Sequence, residues 1–424
     1  MPVTAQHPSE IAIEDYQYDL PEDRIARFPL EQRDASKLLI YRQGKIVEDK
    51  FQNLVDYLPE DALMLFNEAK VVHARLYFYK QTGGKLEIFC LEPDSRYADI
   101  TTAMNEQNSV YWKCLVKGAG KWRNDDVATL EVNYTDQQHQ KVTLKATAQK
   151  IEHIGNSFII RLDWHTDQNV PMSFAEFLEY AGKLPIPPYL KREAQASDEV
   201  QYQTIFAEKE GSVAAPTAAL HFTPKVVERL TKKNITLEKL TLHVGAGTFM
   251  PVKSDTMAGH EMHAEWIDVS REVIHRVLTT VKEDRKIIAV GTTSARTLES
   301  LYWIGLQICR HEWSDEKLHS IAVQQWYPYG RTEEFSTEEV LQALIQYLDD
   351  RHYERIVTRT QLIIAPGYTF KLLHGLVTNF HQPASTLLLM VSALIGEQWK
   401  EIYRYALNHD FRFLSYGDGS LIWK

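Results

Sequence analysis

From Lys70 to about Asp163 the sequence has no helical period. It breaks into short alternating stretches, LYFYK, KLEIFCLE, VYWKCLVKG, ATLEVNY, KVTLKATA and SFIIRLDW, parted by turn residues at Gly83-Gly84, Gly118-Ala119-Gly120 and Asn124-Asp125-Asp126. Several short strands at this spacing fold as a small β-barrel or sandwich of roughly 90 residues. A chain of 424 residues is too long for one core, and this block marks where it divides.

The text on either side is different in kind. Asp19 to Tyr41 is punctuated by proline and ends in a strand-like apolar run, and Leu63 to Phe66 is a second run leading into Asn67. After Phe174 the period is helical, and Pro185, Pro187 and Pro188 then force an extended link. Thr223-Pro224 opens a helix to about Lys233, with a hydroxyl cap and a preset φ. Leu240 to Val244 reads as a strand, Arg271 to Val281 as a helix, and Lys286 to Val290 as a strand entering a further helix. Ser336 with Glu339 is a capping box for a helix to about Leu348, Gln361 to Ala365 reads as a buried strand, and Ser385 caps an apolar helix. Alternation of this kind predicts an α/β domain on a mainly parallel sheet. Residues 1–69 and 164–424 are therefore expected to form one discontinuous α/β domain, with 70–163 inserted.

Charge narrows the partners. The chain holds 47 basic and 57 acidic side chains, a net −10, which excludes a basic coat of the kind that releases phosphate counterions. Residues 70–165 hold 13 basic and 11 acidic side chains, so that block carries +2 and the rest −12. Within it Lys113, Lys117, Lys121 and Arg123 crowd beside Tyr111, Trp112 and Trp122. Basic residues interleaved with aromatics suit phosphates and stacked bases, and a solvated hairpin is the plainer alternative. Cys90, Cys114 and Cys309 lie far apart in sequence, without a Cys-x-x-Cys pair, so neither a disulfide framework nor a thiolate metal site is expected. The polar first ten residues lack a secretory pattern, and the apolar run Leu387 to Ile395 is about half a bilayer span. A cytoplasmic protein with no membrane partner is expected.

Familiar signatures are missing: no G-x-S-x-G elbow, no phosphate-binding G-x-x-x-x-G-K-[ST] loop, no H-E-x-x-H helix. His260-Glu261-Met262-His263 reads as surface or hydrogen-bonded histidines, since two imidazoles alone rarely hold zinc. Four loops dense in small and polar residues remain. Gly211 to Phe222, with Thr217 and His221, has side chains too small to fill a core. Thr241 to Phe249 is a strand holding His243 and ending in Gly245 and Gly247. Gly291 to Ser300 turns a strand into a helix, where free N–H groups, Thr292, Thr293, Ser294 and the cation Arg296 suit an anion. The structural alternative pairs Arg296 with Glu299, three residues on. In Thr378 to Thr386, Pro383 and Ser385 shape the turn, whereas Asn379 and His381 are not needed for it. Arg33 and Asp34 sit just before the first strand, where a surface ion pair is the plain reading.

Taken in order these blocks resemble one family, the S-adenosylmethionine:tRNA ribosyltransferase-isomerases of queuosine biosynthesis. The resemblance runs from YDLPEDRIARFPLEQRDASKLL at Tyr18 through HARLYFYKQTGGKLEIFCLE, GSVAAPTAALHFT, LTLHVGAGTFMPV, HEMHAEW, AVGTTSARTLES, APGYTF and LVTNFHQPASTLLLMVSALIG to FRFLSYGDGSLI. Where the family has Asn-Asp-Thr-Arg, this chain has Asn67-Glu68-Ala69-Lys70; Gln361, Gln382 and Ala384 are further departures, and 308–355 is longer than the family norm. The resemblance implies a large α/β/α layered domain with an inserted β-barrel. It also implies that S-adenosylmethionine is consumed as co-substrate with no resident cofactor or metal, its ribosyl part being rearranged and joined to 7-aminomethyl-7-deazaguanine at the tRNA wobble position. A monomer is expected. The chemistry needs a base, and His221, His243, His381 and Asp34 are the catalytic candidates. Arg296 with Thr292, Thr293 and Ser294 suits the co-substrate carboxylate, and Arg33 suits the ribose hydroxyls or incoming amine. Asn67, Thr217, Gly245, Gly247, Glu299 and Asn379 complete the expected binding set. The competing reading is a paralogue that binds tRNA or S-adenosylmethionine without transfer, motivated by the altered Glu68 to Lys70 loop.

Overall fold

A computed structural model describes residues 7–136, 139–245, 252–331 and 334–424. In chain order, β1 (Lys37–Arg42) and β2 (Lys45–Lys50) form a hairpin, followed by β3 (Leu63–Asn67) and the short β4 (Ala69–Val71). The β1–β2 turn places both Gln43 and Gly44 at positive φ, 51° and 77°, the backbone that matches strand twist in a two-residue hairpin. Then come β5 (Arg75–Tyr79), β6 (Lys85–Pro93), α1 (Ile100–Met104), β7 (Ser109–Lys117), β8 (Val127–Thr135), β9 (Lys141–Ile154) and β10 (Ser157–Thr166). These six strands close into a barrel in the order β10-β7-β6-β5-β8-β9. Their period-2 burial fills it with Leu76, Phe78, Ile88, Trp112, Leu144 and Ile160.

The chain returns through α2 (Phe174–Ala181), α3 (Asp198–Gln201) and β11 (Lys209–Ser212), which pairs with β4. It continues through α4 (Pro224–Lys232), β12 (Thr236–His243), β13 (Glu265–Ser270), α5 (Arg271–Lys282), β14 (Ile287–Val290), α6 (Thr292–Cys309), β15 (Ile321–Val323) and α7 (Thr337–Asp350). The last elements are β16 (Arg355–Thr360), β17 (Gly375–Asn379), α8 (Thr386–Ile395), α9 (Gln398–Asn408) and β18 (Gly419–Trp423). Ten strands form one sheet, β15-β16-β13-β12-β3-β14-β17-β18-β1-β2. Alternate residues of β3 serve opposite faces. Leu63 and Leu65 pack with α5, α6, α7, α8 and α9, and Met64 and Phe66 pack with α4 and the turn at Phe51 to Val55. The large part is thus an α/β/α sandwich with an inserted barrel, as the residues and the resemblance predict.

Several expectations need correction. The sheet is mixed: β12, β3, β14 and β17 run parallel, but β13 and β16 on one side and β18 and β2 on the other pair antiparallel to neighbours. The strand expected at Gln361 to Ala365 ends earlier, as β16, and those residues are buried irregular backbone. Side chains take their backbone groups instead: Arg296 Nε donates to Leu362 O, and the Tyr329 hydroxyl donates to Ile363 O while accepting from Ala365 N. Trp112 and Trp122 belong to the barrel core and Lys113 pairs with Glu92, so the basic–aromatic strip does not form a surface platform. Cys90 and Cys114, distant in sequence, stand opposite each other on β6 and β7 with sulfurs 4.0 Å apart, as free thiols. Among the described residues no helix is long and apolar enough to cross a membrane, and no cluster of three potential metal ligands occurs.

Candidate active site

The parallel strands β3, β14 and β17 end on one edge of the sheet, where α/β proteins bind ligands. Gly291, at φ 89°, makes the turn from β14 into α6, a backbone that side chains rarely adopt. It brings Thr292 and Thr293, in the first turn of α6, to the wall shared by two adjoining cavities. The larger, about 460 Å³, lies between α6, the segment 253–263, Glu265, Leu362 to Ile364 and the start of α8; that volume is in the range of small-molecule sites. The smaller, about 90 Å³, lies among Ala214 to Ala218, Gly291, Asn379, His381 and Ser415.

Arg296 forms the polar floor of the larger cavity. It pairs with Glu265 through Nη1 and donates through Nε to Leu362 O at 3.0 Å, while its buried Nη2 has no partner among the described residues. Glu265 Oε1 also accepts from Gly245 N at 3.2 Å. A buried guanidinium locked on two sides and open on a third is preorganised for an anion. The i,i+3 pairing with Glu299 is not formed. The Glu299 carboxylate faces the other way, accepting from Tyr368 Oη at 2.7 Å and from the N–H groups of Lys371, Leu372 and Leu373 at 2.9 Å each. Ser294 Oγ donates back to Val290 O at the end of β14, so it too serves structure.

The three histidines have three different settings. His221 is stacked on Phe51 with centroids 4.7 Å apart and has both nitrogens engaged. Nε2 accepts from Asn379 Nδ2 at 3.2 Å, which leaves Nδ1 to donate to Ser36 Oγ at 2.9 Å. Thr217 Oγ1 donates to Asn379 Oδ1 at 3.0 Å, so Asn379 and Thr217 face the smaller cavity and His221 stands behind them. Burial first, then the nearby Arg412, pulls His221 down to about 4, a neutral imidazole. His243 lies under the barrel, its buried Nδ1 beside Gly211 and without a partner among the described residues, and it lines neither cavity; burial and then Lys209 hold it at about 4. His381 does line the smaller cavity. Its Nε2 pairs with Thr378 Oγ1 at 3.0 Å, its backbone is fixed by the hydroxyls of Tyr18 and Tyr403, and Nδ1 makes no hydrogen bond to the described residues. Burial pulls it down to about 3.

Other expected residues are placed differently. Asn67 is fully buried and replaces a rung of the ladder, joining the Leu242 backbone, Ala69 N and Thr293 Oγ1. Asp34 accepts from Thr223 Oγ1 and Gln32 Nε2, and Arg33 donates to the carbonyls of Val200 and Gln203. Both sit behind His221, away from the two cavities. Gly247 lies outside the described residues. His260, half-buried, and His263, exposed as expected, both line the larger cavity. Thr378 and Tyr403, which fix His381, carry no local signal in sequence.

Residues 13–422 match the family described as "Queuosine biosynthesis protein". An S-adenosylmethionine:tRNA ribosyltransferase-isomerase of Trichlorobacter lovleyi is 34% identical over 97% of this chain and 99% of its own length. One of Magnetococcus marinus is 33% identical over 96% and 93%. A crystal structure of an S-adenosylmethionine tRNA ribosyltransferase from Thermotoga maritima aligns over 96% of this chain and 99% of that one, at 26% identity and a TM-score of 0.44.

Proposed function

The chain belongs to the queuosine biosynthesis protein family, and from that premise we propose the reaction it performs. It transfers and isomerises the ribosyl part of S-adenosylmethionine onto 7-aminomethyl-7-deazaguanine at the tRNA wobble position. The product is epoxyqueuosine-tRNA, and adenine and methionine leave. The observation that carries this reading is Arg296: a buried cation fixed by Glu265, with one donor unpartnered among the described residues, on a cavity of small-molecule size. A co-substrate carboxylate fits that donor and the adjacent first turn of α6.

The sulfonium of S-adenosylmethionine acidifies its neighbouring C–H, and methionine departs as a neutral thioether, so the reaction needs no resident cofactor. It needs proton transfer and exclusion of water. Of the three candidate imidazoles His381 is the one that lines either of the two cavities at the start of α6, and its neutral ring leaves a lone pair for the proton. His221 acts as a positioning residue that sets the Asn379 amide. The departures at Glu68 and Lys70 support retained chemistry: Glu68 takes Thr241 and Lys209, Lys70 pairs with Glu210, and neither lines a cavity. The enzyme is proposed to work as a cytoplasmic monomer.

The test is incubation of precursor-bearing tRNA with S-adenosylmethionine labelled in the ribosyl part and, separately, in the methyl group. Ribosyl label in tRNA with stoichiometric free adenine is the expected result. Methyl label in tRNA, or binding of both substrates with no adenine released, would overturn it.

A further inference from the structure

The barrel strands β9 and β10 are 14 and 10 residues long, the longest of the six. β8 stops pairing with β9 at Gln149, so residues 150–156 run past it as the outer strand and turn of a ribbon, with β10 still paired to β7 at Phe158 to Ile160. The outer edge of β9 is left without a strand partner there among the described residues. The tip of the ribbon reaches the catalytic half of the molecule, where Asn156 lines the larger cavity. Along the ribbon Ile151 and Ile154 are 41% and 42% exposed. His153 lies flat on Phe158, centroids 4.5 Å apart and planes within 14°, with the Lys150 ammonium 5.4 Å from the Phe158 ring. Side chains alternate along β9, so Ile154 lies on one face of the ribbon and His153, with Phe158, on the other, both beside the cavity that holds Arg296. The Lys150 ammonium donates to Trp122 O, and the ribbon and the rim also carry the exposed acids Glu152 and Glu261.

We propose that this ribbon is the docking platform for the unpaired nucleotides that flank the modified base. The inference rests on the tRNA reading above and goes further by naming the surface. A base drawn into a pocket leaves its neighbours unstacked, and unstacked bases settle on flat apolar or aromatic faces. The charge pattern favours the same partner: the block carrying the ribbon is +2, against −12 for the rest of the chain. Polyanion approach is repelled least on this side. The loop therefore lies across the exposed Ile154 side of the ribbon while the target base passes Asn156 into the cavity.

The experiment titrates a labelled anticodon stem-loop RNA with the full chain, comparing wild type, Ile154→Glu, Ile154→Tyr and the Ile151→Glu/Ile154→Glu pair. S-adenosylmethionine binding is measured on the same samples. The glutamate variants should weaken RNA binding about tenfold or more, the loss of roughly one stacked base, with S-adenosylmethionine affinity unchanged. Ile154→Tyr should bind as well as wild type or better, since a ring stacks on bases, and fully paired RNA of the same length should not compete. Glutamate variants within twofold of wild type, or equal competition by the duplex, overturn the platform and leave the reaction standing. A wild-type chain that binds no RNA overturns the tRNA reading itself.

Discussion

Replacing Glu299 with glutamine separates what its helical position suggests from what its surroundings make it do. Its side chain is fully buried, with two donors on each oxygen: the Tyr368 hydroxyl and Lys371 N–H on Oε2, the Leu372 and Leu373 N–H groups on Oε1. An amide keeps one acceptor and turns the other into a donor, so in either orientation two hydrogen bonds are lost and two buried donors face an N–H₂ group. At about 1.5–3 kcal/mol per bond to a charged group, less the relief of removing a buried charge, the expected loss is about 3–5 kcal/mol. An unfolding entropy of about 2.1 cal/mol/K per residue converts this to a fall of roughly 3–5 °C in Tm if the whole chain melts together. Urea unfolding followed by circular dichroism gives the stability, and a titration of folded protein gives S-adenosylmethionine affinity. Affinity should stay within about threefold, as the carboxylate touches neither cavity. A stability change below about 1 kcal/mol, with affinity down tenfold, would refute this assignment and return Glu299 to the binding set.

Arg296→Gln should abolish the preference for S-adenosylmethionine over its decarboxylated analogue, which in the wild type should be at least about tenfold by competition binding. His381→Gln should cut kcat by about 100-fold or more with co-substrate binding retained, whereas His221→Gln, which can still pair with Asn379, should cost far less; single-turnover adenine release measures both. His221 is held at about 4, below its ordinary 6.5. The unfolded chain therefore takes up a proton below 6.5 that the native state refuses until about 4. Its contribution, on the order of 3 kcal/mol, is whole above 6.5 and drains away as pH falls across that window, which urea midpoints at fixed pH will show. Burial pushes the Cys114 thiol well up, so neither it nor the buried Cys90 should react with a thiol reagent in the native state.

The barrel is legible because period-2 alternation survives wherever one face is wet. The helices α4, α7 and α8 are legible because Thr223, Ser336 and Ser385 each write a cap. β16 is not: RIVTRT mixes arginine with valine, and its partners lie far off in sequence. In the site, Thr292, Thr293, Arg296, Thr217, Asn379 and His381 gather as residue type and loop position predict. Asn67, Ser294 and Glu299 look alike on those grounds, yet each spends its polar atoms on backbone groups, local for Ser294 and brought near only by tertiary packing for Asn67 and Glu299. Polar residues in glycine-rich loops mark the neighbourhood of a site; which of them stays free depends on long-range contacts.

β18 lies between β17 and β1, and the hairpin of β1 and β2 joins the sheet only through it. Ribosomal synthesis therefore makes β1 early and its anchor late, with Arg42 and Gly419 separated by roughly 20–75 s at about 5–20 residues per second. Until then β17 has an open edge, and Asn379 lacks the strand residue Gly419 that it pairs with. A nascent or prematurely terminated chain thus has a finished barrel's worth of sequence but an unassembled catalytic edge. Topology delays competence until translation reaches β18.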